Sequence, residues 1–265
     1  LSNMAVIMML APLLAPLIGM IILHLSGWRL IFVFLLVYGL SIGTALFLRL
    51  PETRKKATER TSMFKRYAMV LSHRCALGFI FSQCFALAGM FAFITGSPSV
   101  YMGYFDISET VYPFLFGLNV IGMMLANRLN IRLLHYYRPQ FLLSIGQAAQ
   151  VLTSLILLSY VSLATEPNLV IMVILLILFI ASMGLIVSNA TSSTVEFFPH
   201  NSATATALLG SIGFAAGALS GSLVGLLGDG TPWPMVIIMF ACALIGPLVR
   251  TMLQYGQPTP THNHS

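Results

Sequence analysis

Eight blocks of about twenty mostly apolar residues, separated by short polar stretches, make up nearly all of this chain. A helix needs about 20 such residues to cross the hydrocarbon core of a bilayer. On that criterion the sequence predicts spans near Met4–Leu25, Arg29–Leu48, Cys75–Thr95, Val111–Ile131, Phe141–Leu163, Leu169–Asn189, Ser202–Leu227 and Trp233–Tyr255. The blocks are continuously apolar and do not alternate, which argues against a transmembrane β-barrel. Composition agrees. Only 8% of the 265 residues are charged, against roughly 25% in a soluble domain, so most of the surface must face something other than water. The expected fold class is an all-α membrane protein, a helical bundle in a lipid bilayer.

The formal charge of +6 invites a nucleic-acid reading. Placement argues for a different one, because the basic residues sit between the apolar blocks and carry no recognition pattern. If the stretches around 49–74, 128–140, 190–201 and the tail share one side, they hold 12 of the 13 Lys and Arg residues, leaving Arg29 opposite. Asp106, Glu109, Glu166 and Asp229 collect on the other side. The positive-inside rule then makes the basic side, with the C-terminus, cytoplasmic. Residues 49–74, basic and containing Pro51, read as a linker between two preceding helices and six following ones. Leu1 is not a start methionine, and an apolar run follows without a basic n-region. A signal peptide is therefore a poor fit, and a missing natural N-terminus is expected.

Polar and small residues inside the spans are the candidates for function. Ala11 to Gly19 carries Pro12 and Pro16, four apart, which remove two backbone donors and bend a helix. Gly213, Gly217, Gly221 and Gly225 recur every fourth residue and form a groove for close helix crossing, by static packing or by sliding. Gln83, Met90 and Ser97 share one helical face, with Phe93 beside them. Asn119 sits mid-span with Tyr112 and Phe116 at helical spacing, Ser182 and Asn189 mark another helix, and Ser211 with Phe214 a third. Such a lining of Met, aromatic and amide groups suits bulky amphipathic ligands. The plainer alternative for each residue is helix-packing glue. Gln147 and Gln150 are weaker candidates.

The run Ala11-Pro12-Leu13-Leu14-Ala15-Pro16-Leu17-Ile18-Gly19 resembles motif C of major facilitator drug:proton antiporters. Gly89 to Tyr101, Phe114 to Asn119, and Glu196-Phe197-Phe198-Pro199-His200 with Ala203-Thr204-Ala205 are similar to the bicyclomycin-resistance (Bcr/CflA) family. Met20 departs from the motif, where a second glycine is usual. The resemblance implies helices five to twelve of a twelve-helix fold. Residues 1–48 would end the N-terminal half, 49–74 form the central loop, 75–255 the C-terminal half and 256–265 the tail. It also implies proton-coupled efflux of drugs or small amphipathic metabolites by alternating access, in a bacterial inner membrane, by a protein monomeric when full length. The helix of Gln147 and Gln150 would lie on the periphery. With the first four helices absent, the chain alone is expected not to transport.

No Asp, Glu, Lys or Arg lies deep in any predicted span, and His24 sits near a helix end, so no residue is assigned to proton coupling. No cofactor or metal is expected. His24, His73, His135, His200, His262 and His264 are scattered without an HExxH pattern, which disfavours a membrane-embedded enzyme. The phosphate-cradling GxxxxGK[ST] of an ATP-driven pump is absent. Cys75, Cys84 and Cys242 form no CxxC pair and read as small packing residues. A structural or receptor subunit that transports nothing stays open.

Overall fold

The computed structural model describes residues 14, 15, 18–23, 25, 27–49 and 62–256, and all of its regular structure is helical. Most of the first predicted span, with Pro12, Pro16 and His24, lies outside the described residues, as do residues 50–61 of the linker and residues 257–265 of the tail. Among the described residues from 28 on, eight α-helices follow in order: α1 (Trp28–Arg49), α2 (Met63–Ser72), α3 (Arg74–Pro98), α4 (Tyr112–Leu133), α5 (Pro139–Leu163), α6 (Leu169–Glu196), α7 (Ser202–Leu227) and α8 (Trp233–Gln254). All but α2 are long and apolar enough to cross a membrane.

Local chemistry explains where these helices start. Pro139 opens α5, and Pro113 and Pro234 fall in the first turns of α4 and α8, where a missing N–H costs nothing. Asn168 caps α6, its Oδ1 accepting from the Val170 N–H at 2.9 Å, while its own N–H donates to the Tyr160 hydroxyl at 2.6 Å. That pair ties the end of α5 to the start of α6. At the other side of the bundle, His73 Nδ1 accepts from the Ala76 N–H at 3.2 Å and caps α3.

Helices α3 to α8 form one bundle. α3 lies along α7 and α8 and touches α6, while α6 also packs on α4 and α5, and α5 on α8. The buried centre holds Phe93, Tyr101, Leu157, Met172, Leu176, Phe179 and Met239, drawn from α3, its continuation, α5, α6 and α8. α1, by contrast, buries none of its residues.

Two features depart from the sequence reading. Residues 63–72, inside the stretch read as a linker, form α2, whose Val70 is fully buried against Ile80, Ala205, Leu208 and Leu209. An amphipathic turn of helix this short carries too few apolar residues to register as a span. Second, the Cys75–Thr95 helix runs on through Pro98 and widens into a π-helix over Ser99–Tyr104, closed by Phe105 N–H to Val100 C=O at 3.1 Å. Pro98 has no N–H to continue the regular ladder, and a π-turn re-pairs the backbone with a wider ring. The helix thereby keeps Val100 and Tyr101 buried instead of ending.

The turn before α8 offers a pH test. Asp229 accepts from the Thr231 hydroxyl at 2.7 Å and the Thr231 N–H at 2.9 Å, which hold its carboxyl below the usual carboxylate range. A depressed pKa means the turn's stabilisation is complete above the ordinary carboxylate pKa and fades as pH falls through the lowered one. Side-chain NMR titration of Asp229 is expected to give a midpoint below that of a model aspartate, and Thr231→Val to bring it back up. An unshifted midpoint in the unaltered chain counts against this turn.

Candidate functional site

The strongest concentration of chemistry at membrane depth lies between α3, its π-continuation and α4. On α3, Phe93 and Ser97 are four apart, and Tyr101 follows after four more. All three are at most 1% exposed. On α4, Tyr112, Phe116 and Asn119 recur at i, i+4 and i+7, which puts them on one face. The two faces meet. The Phe93 and Phe116 rings stack at 5.8 Å between centroids, 17° from parallel. Ser97 Oγ and the Tyr112 hydroxyl share a hydrogen bond at 3.0 Å, and Tyr112 also leans on the Tyr101 and Phe116 rings at 6.0 and 6.2 Å. Met90 and Met123 are partly buried against the neighbouring core.

Two polar atoms in this cluster lack partners. Asn119 donates to the Leu115 carbonyl at 2.9 Å, but its Oδ1 is buried without a hydrogen bond, and so is the Tyr101 hydroxyl. The Tyr101 hydroxyl and the Asn119 amide engage one another, short of a full hydrogen bond, so each keeps part of its bonding capacity. Leaving such groups unpaired in a dry interior costs about 1–3 kcal/mol each. A site with aromatic faces and an unsatisfied donor and acceptor can engage an amphipathic molecule that supplies the matching groups.

The other sequence candidates fall elsewhere. Gln83 Oε1 accepts from the Thr191 hydroxyl at 2.8 Å, joining α3 to α6. Asn189 Nδ2 donates to Asn130 Oδ1 and to the Leu185 carbonyl, each at 2.7 Å, joining α6 to α4. Ser182 bonds within its own helix, to the Phe179 carbonyl at 2.6 Å. Ser211 and Phe214 are exposed on α7, away from the aromatic cluster; Phe214 meets only the edge of Phe91 among its ring neighbours, at 5.8 Å.

The glycine series divides in the same way. A Cβ at Gly213, Gly217 or Gly221 would lie 2.6, 2.6 or 2.7 Å from Leu87 Cδ1, Phe91 Cδ2 or Thr95 Oγ1. Ridge and groove thus run in register, four residues at a time, along α3 and α7. Gly225 faces open space and lines a cleft of about 170 Å³ between α3, α7 and α8. Gly19 has nothing within 4 Å of its would-be Cβ.

Tyr101, Thr191 and Asn130 belong to these contacts and were not singled out in the sequence. Tyr101 could have been found as the next step of the Phe93–Ser97 spacing. Asn130 lies at the end of the predicted Val111–Ile131 span, where nothing within one helix marks it as a partner of Asn189, and Thr191 lies past its apolar block, on a helix that continues as far as Glu196.

Comparison with known proteins places these features in a family. The chain is 34% identical over 258 residues to a bicyclomycin resistance protein homolog of Haemophilus influenzae, an alignment covering 95% of the chain and 64% of the relative. It is 26% identical over 247 residues to a chloramphenicol resistance protein of Pseudomonas aeruginosa, covering 89% of the chain and 56% of the relative. To the multidrug transporter MdfA of Yersinia pestis it is 31% identical over 134 residues, 48% of the chain and 33% of the relative. The chain therefore spans about three fifths of the length of the first two. Residues 1–221 match the Major Facilitator Superfamily as a whole, and with its multi-pass helical bundle this chain belongs to that superfamily, as a relative of its bicyclomycin-resistance type.

Proposed function

We propose that the protein is a proton-coupled exporter of drugs or small amphipathic metabolites, working by alternating access in a bacterial inner membrane with its C-terminus in the cytoplasm. The observation that carries the substrate class is the unpaired Asn119 Oδ1 and Tyr101 hydroxyl beside the stacked Phe93 and Phe116 rings. An aromatic compound bearing a donor and an acceptor would satisfy both and stack on the rings. The names of the relatives support the same direction, since they are drug-resistance and multidrug transport proteins. Arg128 and Arg132 in the last turns of α4, with Arg138 just before α5, support the cytoplasmic placement of that end.

On this reading Gln83 and Asn189 hold helices together and Ser182 bonds within its own helix, while Met90, Phe93, Ser97, Tyr112, Phe116 and Asn119 meet substrate. Ser211 and Phe214, exposed on α7, would face the other half of the transporter or the path between the halves. Rocking of the two halves would alternate access, and Gly213, Gly217 and Gly221 would keep α3 and α7 together as one body. The working unit is a monomer.

Drug accumulation in energised cells expressing a full-length transporter that contains this chain tests this. Accumulation of an aromatic amphipathic drug is expected to fall, and to rise again when a protonophore collapses the gradient. Asn119→Ala should weaken apparent drug affinity by about fivefold, the equivalent of one hydrogen bond of about 1 kcal/mol. Unchanged accumulation across a broad panel of drugs, with or without the gradient, would sink the proposal.

A further inference from the structure

A second set of unpaired polar groups lies on the far side of the bundle, between α5 and α8. Arg250 Nη2 donates to Ser144 Oγ at 2.7 Å, and Ser144 Oγ donates to the Gln140 carbonyl at 2.9 Å. The remaining guanidinium nitrogens, Nε and Nη1, are buried without a partner. One turn along α5, Gln147 is 3% exposed, and both its Nε2 and Oε1 lack hydrogen bonds. These groups line a groove of about 430 Å³ that continues along Val151, Leu155, Leu244 and Leu248. Among the described residues that line it there is no carboxylate.

A buried cation with two unpaired nitrogens costs several kcal/mol unless an anion meets it. Arg250 stands four residues before the last residue of α8, about 6 Å along the helix axis. Its partner Ser144 lies near the start of α5, just after the loop carrying Arg138. The ends of two spanning helices beside a basic residue are where the boundary between headgroups and acyl chains is expected. The groove is polar at this end and apolar for roughly 16 Å beyond it, the rise of α5 from Ser144 to Leu155.

We infer that this groove binds an anionic phospholipid. Arg250 turns out of its buried position to take the phosphate, for which a planar guanidinium is suited. Gln147, one turn deeper, turns its amide from the α5–α8 seam towards an ester carbonyl of the glycerol backbone. An acyl chain lies along Val151, Leu155, Leu244 and Leu248. Charge complementarity selects an anionic lipid, because the lining has a cation for the phosphate and no carboxylate for the ammonium of a zwitterionic headgroup. This site is separate from the aromatic cluster and does not depend on what, if anything, the protein exports.

Native mass spectrometry of the purified, delipidated chain tests it, with phosphatidylglycerol and phosphatidylcholine of matched acyl chains as probes. One phosphatidylglycerol is expected to be retained about tenfold better than phosphatidylcholine, and Arg250→Met to abolish the preference. Leu152→Trp changes an exposed residue at the groove and leaves every headgroup ligand in place; it should also weaken retention. Arg138→Met, a loop change, should leave it intact. Equal retention of the two lipids by the unaltered chain overturns the inference, as does undiminished phosphatidylglycerol on Arg250→Met or, should that variant fail to fold, on Leu152→Trp. Displacement of the lipid by millimolar inorganic phosphate would assign the pocket to a free anion and also overturn it.

Discussion

Gly184→Leu is expected to lower the thermal midpoint of the detergent-solubilised chain more than a leucine at any other bundle glycine. A Cβ at Gly184 would stand 2.7 Å from the Asn127 backbone nitrogen, 2.8 Å from the Met123 carbonyl oxygen and 3.1 Å from the Ala126 carbonyl carbon. These are backbone atoms of α4, so no rotamer change can make room. α4 and α6 must separate, and with them the bonds just beyond the crossing loosen: Ser188 to Asn127 at 3.2 Å and Asn189 to Asn130 at 2.7 Å. Overpacking a tight contact costs about 1–3 kcal/mol, and this one falls at or above the upper end. Gly217→Leu should cost less, because the atom in the way belongs to the Phe91 side chain, which can turn. Gly225→Leu, with open space before it, should be near neutral. Midpoints that failed to follow this order, measured by fluorescence-detected melting, would show that the α4–α6 crossing is looser than the contacts imply.

Asn189→Leu is the second large effect, and its partner reveals the cause. Asn130 is 1% exposed, and its Nδ2 already lacks a hydrogen bond. Removing Asn189 strips its Oδ1 as well and leaves a whole amide unsatisfied between α4 and α6. In a helical membrane protein such pairs are worth up to about 1.7 kcal/mol, and an orphaned group adds to the loss. The double replacement, Asn130→Leu with Asn189→Leu, removes the orphan too and should recover part of the stability. A double-mutant cycle therefore gives a coupling energy well away from zero. Strict additivity of the two single effects would mean that the amides do not depend on one another.

These two sites also show how far the sequence could be read. The spans were legible because burying a helix in lipid demands a long apolar block, and that demand is written residue by residue. Arg29–Leu48 became Trp28–Arg49, and Ser202–Leu227 kept its bounds. Asn130 lay inside a predicted span, but nothing within one helix pointed to Asn189 as its partner; Thr191 escaped because apolarity ends before the helix does. Once a helix leaves the hydrocarbon layer its surface need not be apolar, so hydropathy no longer marks it. α2 escaped for a related reason: one buried residue, Val70, holds a helix of ten residues against its neighbours.

The candidate site was legible only as a set of residue types. Spacing put Phe93 with Ser97 and Tyr112 with Phe116 and Asn119, each on a common face of its own helix. It gave no reason to bring those two faces together, or to leave Phe214 on the outside. Nor did it separate Gly225, which touches nothing, from Gly213, Gly217 and Gly221, which seat Leu87, Phe91 and Thr95 in turn. By itself, then, the sequence determined that this chain is a multi-pass helical membrane protein, and where most of its helices run. The lipid imposes those properties on each segment separately. Which polar groups meet, and which are left unpaired at Asn119, Tyr101, Gln147 and Arg250, only the tertiary structure decided. Partnership depends on how residues far apart in the chain are packed, and periodicity within one helix carries no record of its neighbour.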